Sequence, residues 1–211
     1  MKKNFLKTVF IIDESGSMQS SQSDVVGGFN GYIERQRKEN TGKVVVSLYK
    51  FNNETSLVIA NKPLNQINLL TNEDYTPNGF TALYDAIGQA VKETDIEISA
   101  LPENERPNNI MAVIITDGQE NASKEYTSQA IKTLISTHEN LLKWNFVYLG
   151  VGLSDFTDAD LLGLKYRASS QRSNLESRFD IIAEHNIQFC ESMVAETTVS
   201  MNKLMKNLDE E

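Results

Sequence analysis

Five oxygen-bearing side chains stand where a folded chain could bring them together. Asp13-Glu14-Ser15-Gly16-Ser17 follows an apolar run and sets an acid and two hydroxyls in one short turn. Gly16 is expected to let that turn close tightly. Asp117 ends a second apolar run, Val113-Ile114-Ile115-Thr116-Asp117-Gly118. Thr81 lies in Asn78-Gly79-Phe80-Thr81-Ala82-Leu83, where helical periodicity begins. In an open parallel sheet, ligands bind outside the carboxyl ends of the strands, so both aspartates belong on the functional edge. Oxygen donors without imidazole or thiolate suit a hard divalent cation, magnesium (Mg2+) first, with manganese or calcium as substitutes. Two aspartates balance its charge, and neutral hydroxyls fill positions without adding more. One position is then left for water or an incoming carboxylate.

Taken singly, each residue has a plainer reading. Asp13 and Asp117 read as turn caps, the serines as turn formers and Thr81 as a helix N-cap. Glu14 and Glu120 read as solvated rim residues. Asn121 reads as a loop brace or the cap of the next helix.

Composition narrows the function classes. Lysine and arginine total 20 against 29 acidic residues, a net charge of −9. That balance opposes a broad grip on nucleic-acid phosphates, which needs a dense basic face. Cys190 is the single cysteine, so no intrachain disulfide forms; with His138 and His185 it cannot build a zinc cluster. The apolar run at 8–12 stops at Asp13, too short for a signal-peptide core or a membrane span. A reducing cytoplasm is the expected compartment, with no membrane or nucleic-acid partner.

The elements that must position these residues follow from periodicity. Residues 8–12, 43–51, 55–60, 110–115, 144–149 and 165–168 read as strands. The first and fourth are apolar throughout and therefore central. Asn52-Asn53 reads as a hairpin turn that makes the third strand antiparallel. Ser23 is expected to cap a helix burying Val25, Val26, Phe29, Tyr32 and Ile33, closed at 40–42 with Gly42 left-handed. Residues 63–79 and 98–109 read as loops. Helices are expected from Thr81, over 123–137 with Ile131, Leu134 and Ile135 inward, and over 158–162. Ser173 and Glu176 have capping-box spacing and open a helical stretch to about 208. Unbroken, that helix would be roughly 50 Å long, so a break is expected near His185-Asn186. Cys190 and the late methionines read as core or interface fillers, Trp144 as packed beside the sheet, and His138 as favouring the negative end of its helix.

The expected fold is three-layer α/β, doubly wound, with a mostly parallel six-stranded sheet in the order 3-2-1-4-5-6. The third strand is an antiparallel edge. Residues 1–170 form this domain, and 171–211 a C-terminal helical region packing on it or extending from it.

Asp13-Glu14-Ser15-Gly16-Ser17-Met18 after an apolar strand resembles the DxSxS motif of von Willebrand factor A (VWA) domains. Gly79-Phe80-Thr81-Ala82-Leu83-Tyr84-Asp85-Ala86-Ile87 and the run ending in Asp117-Gly118 resemble that family's second and third motifs, in order. The resemblance covers residues 8 to about 169 and is nearest to stand-alone bacterial and phage A domains. It implies a Rossmann-like fold and a metal-ion-dependent adhesion site. Ser15 and Ser17 would then bind the metal directly, and Thr81 directly in the high-affinity state. Asp13 and Asp117 would act through bound waters and by orienting the hydroxyls. A glutamate or aspartate of a partner protein would complete the octahedron. Movement of the last helix on ligation would let the C-terminal region couple the site to a second contact.

The function expected is metal-dependent protein binding without catalysis. A structural or assembly protein that self-associates through its C-terminal helices is the alternative. A phosphohydrolase of the haloacid dehalogenase type ranks last, because Ser15 stands where that family has its second acid. No G-x-S-x-G elbow is present, and no histidine neighbours a nucleophile.

Overall fold

The computed structural model describes residues 4–152, 156–171, 174–194 and 200–209. Its six strands are β1 (Phe5–Asp13), β2 (Lys43–Phe51), β3 (Thr55–Pro63), β4 (Asn109–Thr116), β5 (Trp144–Val151) and β6 (Tyr166–Ser170). They form one sheet in the order β3-β2-β1-β4-β5-β6. Every pairing is parallel except β2 with β3, which turn back on each other through residues 52–54. The fold class and strand order are those the sequence predicts.

Strand β1 shows why the sheet is covered on both sides. Its side chains alternate between faces. Leu6, Phe10 and Ile12 join the core built with α1 (Gln22–Glu39), α5 (Leu175–Val194) and α6 (Met201–Asp209). Val9 and Ile11 join the opposite core with α2 (Leu83–Ser99), α3 (Ser128–Leu141) and α4 (Thr157–Leu162). Phe10 lies 5.5 Å from Phe29, 4.9 Å from Tyr32 and 5.7 Å from Phe179, ring centre to ring centre. Helix α5 is therefore part of the core. Asn186 reinforces it, donating to the Tyr32 hydroxyl at 2.9 Å and to Thr8 Oγ1 at 3.2 Å.

Register carries the two aspartates to one edge. Asp13 pairs with Phe51 of β2, and Ile12 with Ile115 of β4. The carboxyl ends of β1 and β4 thus lie side by side, as a parallel sheet requires.

Several local expectations are corrected. Helix α1 begins at Gln22 after a 3-10 turn over Gly16–Ser21, and no side chain caps it, so Ser23 is not its cap. It ends at Asn40 in extended conformation, whose Oδ1 accepts from the Gly42 amide at 2.7 Å. Gly42 is not left-handed; among the described residues the glycines with positive φ are Gly79, Gly152 and Gly163. Helix α2 begins at Leu83 behind Ala82, so Thr81 does not cap it. Helix α3 begins at Ser128, with Thr127 Oγ1 accepting from the Ala130 amide at 3.2 Å. His138 lies near the C-terminal end of α3 as expected, but it is buried and paired with Asp95 at 2.8 Å. Trp144 lies within β5 and stacks on Phe146. Helix α5 runs unbroken through His185-Asn186, because the Asn186 amide turns inward to real partners; the helix ends at Val194 and α6 begins at Met201. The expected Ser173 cap lies outside the described residues.

Candidate functional site

Three chain segments meet beyond the carboxyl ends of β1 and β4, and backbone bonds fix their positions. The Glu14 amide donates to Phe51 O at 2.6 Å, Asn78 to Glu14 O at 2.8 Å, and Gly16 to Gly79 O at 3.1 Å. Ala82 donates to Asn52 O at 2.8 Å, and Asn121 to Thr81 O at 3.0 Å. The turn after β1, the loop before α2 and the loop after β4 are thereby held as one surface.

Gly79 makes one of these approaches possible. Its φ is +76°, and a Cβ there would lie 2.2 Å from Asn53 Oδ1. Gly16 has no such need. A Cβ on it would meet Gly79 O at 3.5 Å, an ordinary contact.

The side chains then converge. Asp13 is fully buried; its Oδ1 accepts from the Ser15 amide at 2.7 Å and its Oδ2 from Thr116 Oγ1 at 2.5 Å. Ser15 Oγ lies 3.1 Å from Ser17 Oγ, which donates to Asp117 Oδ1 at 2.5 Å. Gly118 marks the centre. A Cβ placed on it would lie 3.0 Å from Thr81 Oγ1, 3.6 Å from Ser17 Oγ and 3.8 Å from Asp13 Oδ2. All five residues singled out from the sequence meet here. Asp13, Ser15 and Thr81 form a buried floor, while exposed Ser17 and half-buried Asp117 open it to solvent.

Electrostatics fit the same reading. Burial pushes the Asp13 carboxyl up to about 6, against the hydrogen bonds from Thr116 and Ser15 that hold it down. The charged neighbour acting on it is Asp117, of the same sign. Tyr75 donates its hydroxyl to the Asp13 carbonyl oxygen, and burial with the nearby acids raises its own pKa. Among the described residues no group of three or more histidine, cysteine or acidic side chains is placed to hold a metal. The donor set here is different: two acids and three hydroxyls around one small space. That set fits a hard cation of magnesium or calcium type.

A supporting ring was only partly legible. Glu14 is not a solvated rim residue. It pairs with Lys50 at 2.7 Å and accepts from the Thr76 amide at 2.6 Å. Glu120, half-buried, is not merely solvated either. It accepts from the amides of Tyr84, Ala122 and Ser123 at 3.0, 2.9 and 2.7 Å. Asp85 collects the amides of Lys124, Glu125 and Tyr126, and Asp158 accepts from the Glu120 amide and the Tyr84 hydroxyl. Asn121 braces the loop, as one of its two readings had it: its Oδ1 accepts from the Thr81 amide at 2.9 Å. Tyr75 and Asp158 lay in no motif, and Thr116 and Asp85 lay inside motif runs without being singled out as site residues. The one signal for Thr116 is a lone hydroxyl closing an apolar strand immediately before Asp117.

No protein-family model and no curated protein matches the sequence. Solved structures do match. The von Willebrand factor type A protein from Catenulispora acidiphila superposes with a TM-score of 0.61 at 15% identity, over 86% of this chain and 42% of that one. The vWF domain of the type V pili tip protein Mfa5 from Porphyromonas gingivalis gives 0.60 at 12% identity, over 95% and 98%. The fold is VWA-like. Proximal thread matrix protein 1 from the mussel byssus gives 0.63 at 15% identity, over 86% and 46%. The chain thus spans less than half the length of the byssus and Catenulispora proteins. At these identities the likeness concerns the fold alone. No helix among the described residues is long and apolar enough to cross a membrane.

Proposed function

We propose that this chain is a VWA-family module that binds a partner protein through a divalent metal. Asp13, Ser15, Ser17, Thr81 and Asp117 hold the ion, magnesium in the first instance and manganese or calcium as substitutes. The carrying observation is the convergence of Thr81, Ser17 and Asp13 oxygens on the space that a Cβ on Gly118 would enter. A bound cation would supply a focused positive charge for a glutamate or aspartate of the partner.

The remaining work falls to the protein's own groups. Thr116 and the Ser15 amide aim the Asp13 carboxylate and stabilise its charged form. Asp117 orients the Ser17 hydroxyl. The exposed side of Ser17 is the approach route for the partner. A net charge of −9 discourages loose acidic binders, so one well-placed carboxylate is selected.

Binding rather than catalysis is supported by where the histidines lie. His138 is engaged by Asp95 and the Leu134 carbonyl, and His185 is buried in α5. Neither is a base for Ser15 or Ser17. Adhesion is also the setting of comparable structures, among them the pilus adhesin SpaC from Lactobacillus rhamnosus GG, matched at a TM-score of 0.64 and 14% identity over 89% of this chain and 31% of that one. A lone, buried Cys190 supports action in a reducing cytoplasm.

The test is calorimetric titration of the full chain with magnesium and manganese. One saturable site is expected, lost in Ser17→Ala and Thr81→Ala while circular dichroism is unchanged. Equal heats from wild type and both variants overturn the reading.

A further inference from the structure

We propose that Phe80 is a second contact of this site, so that the partner segment presents its carboxylate beside a large apolar side chain. The inference rests on the metal-bridged reading above and adds the chemistry of the partner.

Phe80 immediately precedes Thr81, the residue whose Oγ1 lies in the floor of the site. It is 64% exposed. Other large exposed apolar residues lie elsewhere, such as Leu57 and Val58 on the edge strand β3 and Leu141 at the end of α3. Scattered apolar residues on a surface are normal. What separates Phe80 is its position and the rigidity of its backbone.

Bonds hold the chain on both sides of it. The Phe80 amide donates to Asn53 Oδ1 at 2.9 Å, and the Thr81 amide to Asn121 Oδ1 at 2.9 Å. The Asn121 and Ala82 amides close the next two positions onto Thr81 O and Asn52 O. Gly79 before it occupies a left-handed conformation that sets the direction of the chain. A ring on a fixed backbone loses little freedom when a partner covers it.

Its surroundings make it the apolar element of a polar rim. Asn53, Asn78, Gln119 and Asn121 are exposed around the same loops, and the three asparagines already spend side-chain bonds on holding those loops. Polar side chains of this kind gain little from burying an apolar neighbour. The ring gains where a leucine-sized or aromatic neighbour of the coordinating acid covers it.

The experiment compares two probe peptides, acetyl-Gly-Gly-Asp-Gly-Gly-amide and acetyl-Gly-Gly-Asp-Leu-Gly-amide, on the manganese-loaded full chain. Paramagnetic broadening of peptide protons reports the affinity of each, and a separate manganese titration reports the metal site. The leucine peptide is expected to bind about tenfold more tightly, about 1.4 kcal/mol. Phe80→Asn should remove the preference, Phe80→Trp should keep it, and manganese affinity should be the same in all three proteins. Manganese binding with no preference in the wild type overturns this proposal and leaves the metal site standing. Failure of manganese to bind overturns both.

Discussion

Thr81 and Asn121 grip each other through both main-chain groups of the threonine. The Thr81 amide donates to Asn121 Oδ1 at 2.9 Å, and the Asn121 amide donates to Thr81 O at 3.0 Å. The loop before α2 and the loop after β4 are thus locked at the residue whose hydroxyl faces the site. Neither residue caps a helix there. The pairing positions an oxygen.

Removing that acceptor should therefore loosen the site more than the fold. Asn121→Ala is expected to cost about 1 kcal/mol of stability, one hydrogen bond's worth. Manganese affinity should fall about tenfold, the lower end of what outer-shell losses cost. Denaturant unfolding and calorimetric titration of the same preparation check both.

Gly79→Ala tests the geometry of the same loop. A side chain at φ +76° is strained, and its Cβ would lie 2.2 Å from Asn53 Oδ1. The substitution should cost about 1–3 kcal/mol. Gly16→Ala, with its nearest contact at 3.5 Å, should cost markedly less. Urea midpoints of the two variants decide this.

Phe179 tests whether α5 belongs to the core. Its ring is fully buried, 5.7 Å from Phe10, and a Cβ on Gly28 would lie 2.3 Å from its Cδ2. Phe179→Ala should cost about 3–5 kcal/mol, the value for an aromatic deleted from a packed interior. A loss below 1 kcal/mol by urea unfolding would show α5 to be an appendage.

The sheet was legible because burial writes itself into composition. β2 occupies the residues predicted for it, and the apolar runs of β1 and β4 placed both aspartates on one edge. Side-chain bonds to backbone were the illegible part. Residues 123–126 were expected to be helical, yet Glu120 takes the Ser123 amide and Asp85 the next three, so α3 waits until Ser128. Asn186 looks like a helix breaker, but its partners Thr8 and Tyr32 are more than a hundred residues away in sequence. Five site residues had motifs to announce them. Thr116 and Asp158, which support them, act only through contacts that folding creates.

His185 should make stability fall in acid. Burial, with a smaller push from Lys203, lowers its pKa from 6.5 to about 4. The folded state therefore favours the neutral ring. Its contribution is fully present above about pH 6.5 and is lost as pH falls through about 4, up to about 3 kcal/mol in all. Between pH 7 and 4 the unfolding free energy of the wild type should fall relative to that of His185→Leu, which has no ring to titrate. Parallel curves would contradict the assignment.

The central claim is that one hard cation sits among Asp13, Ser15, Ser17, Thr81 and Asp117. Anomalous scattering from crystals soaked in manganese chloride tests it most directly. The account predicts a single strong peak within coordination distance of Ser15 Oγ and Ser17 Oγ, beside Gly118. Manganese found only at other surface carboxylates, with this space empty, would contradict it.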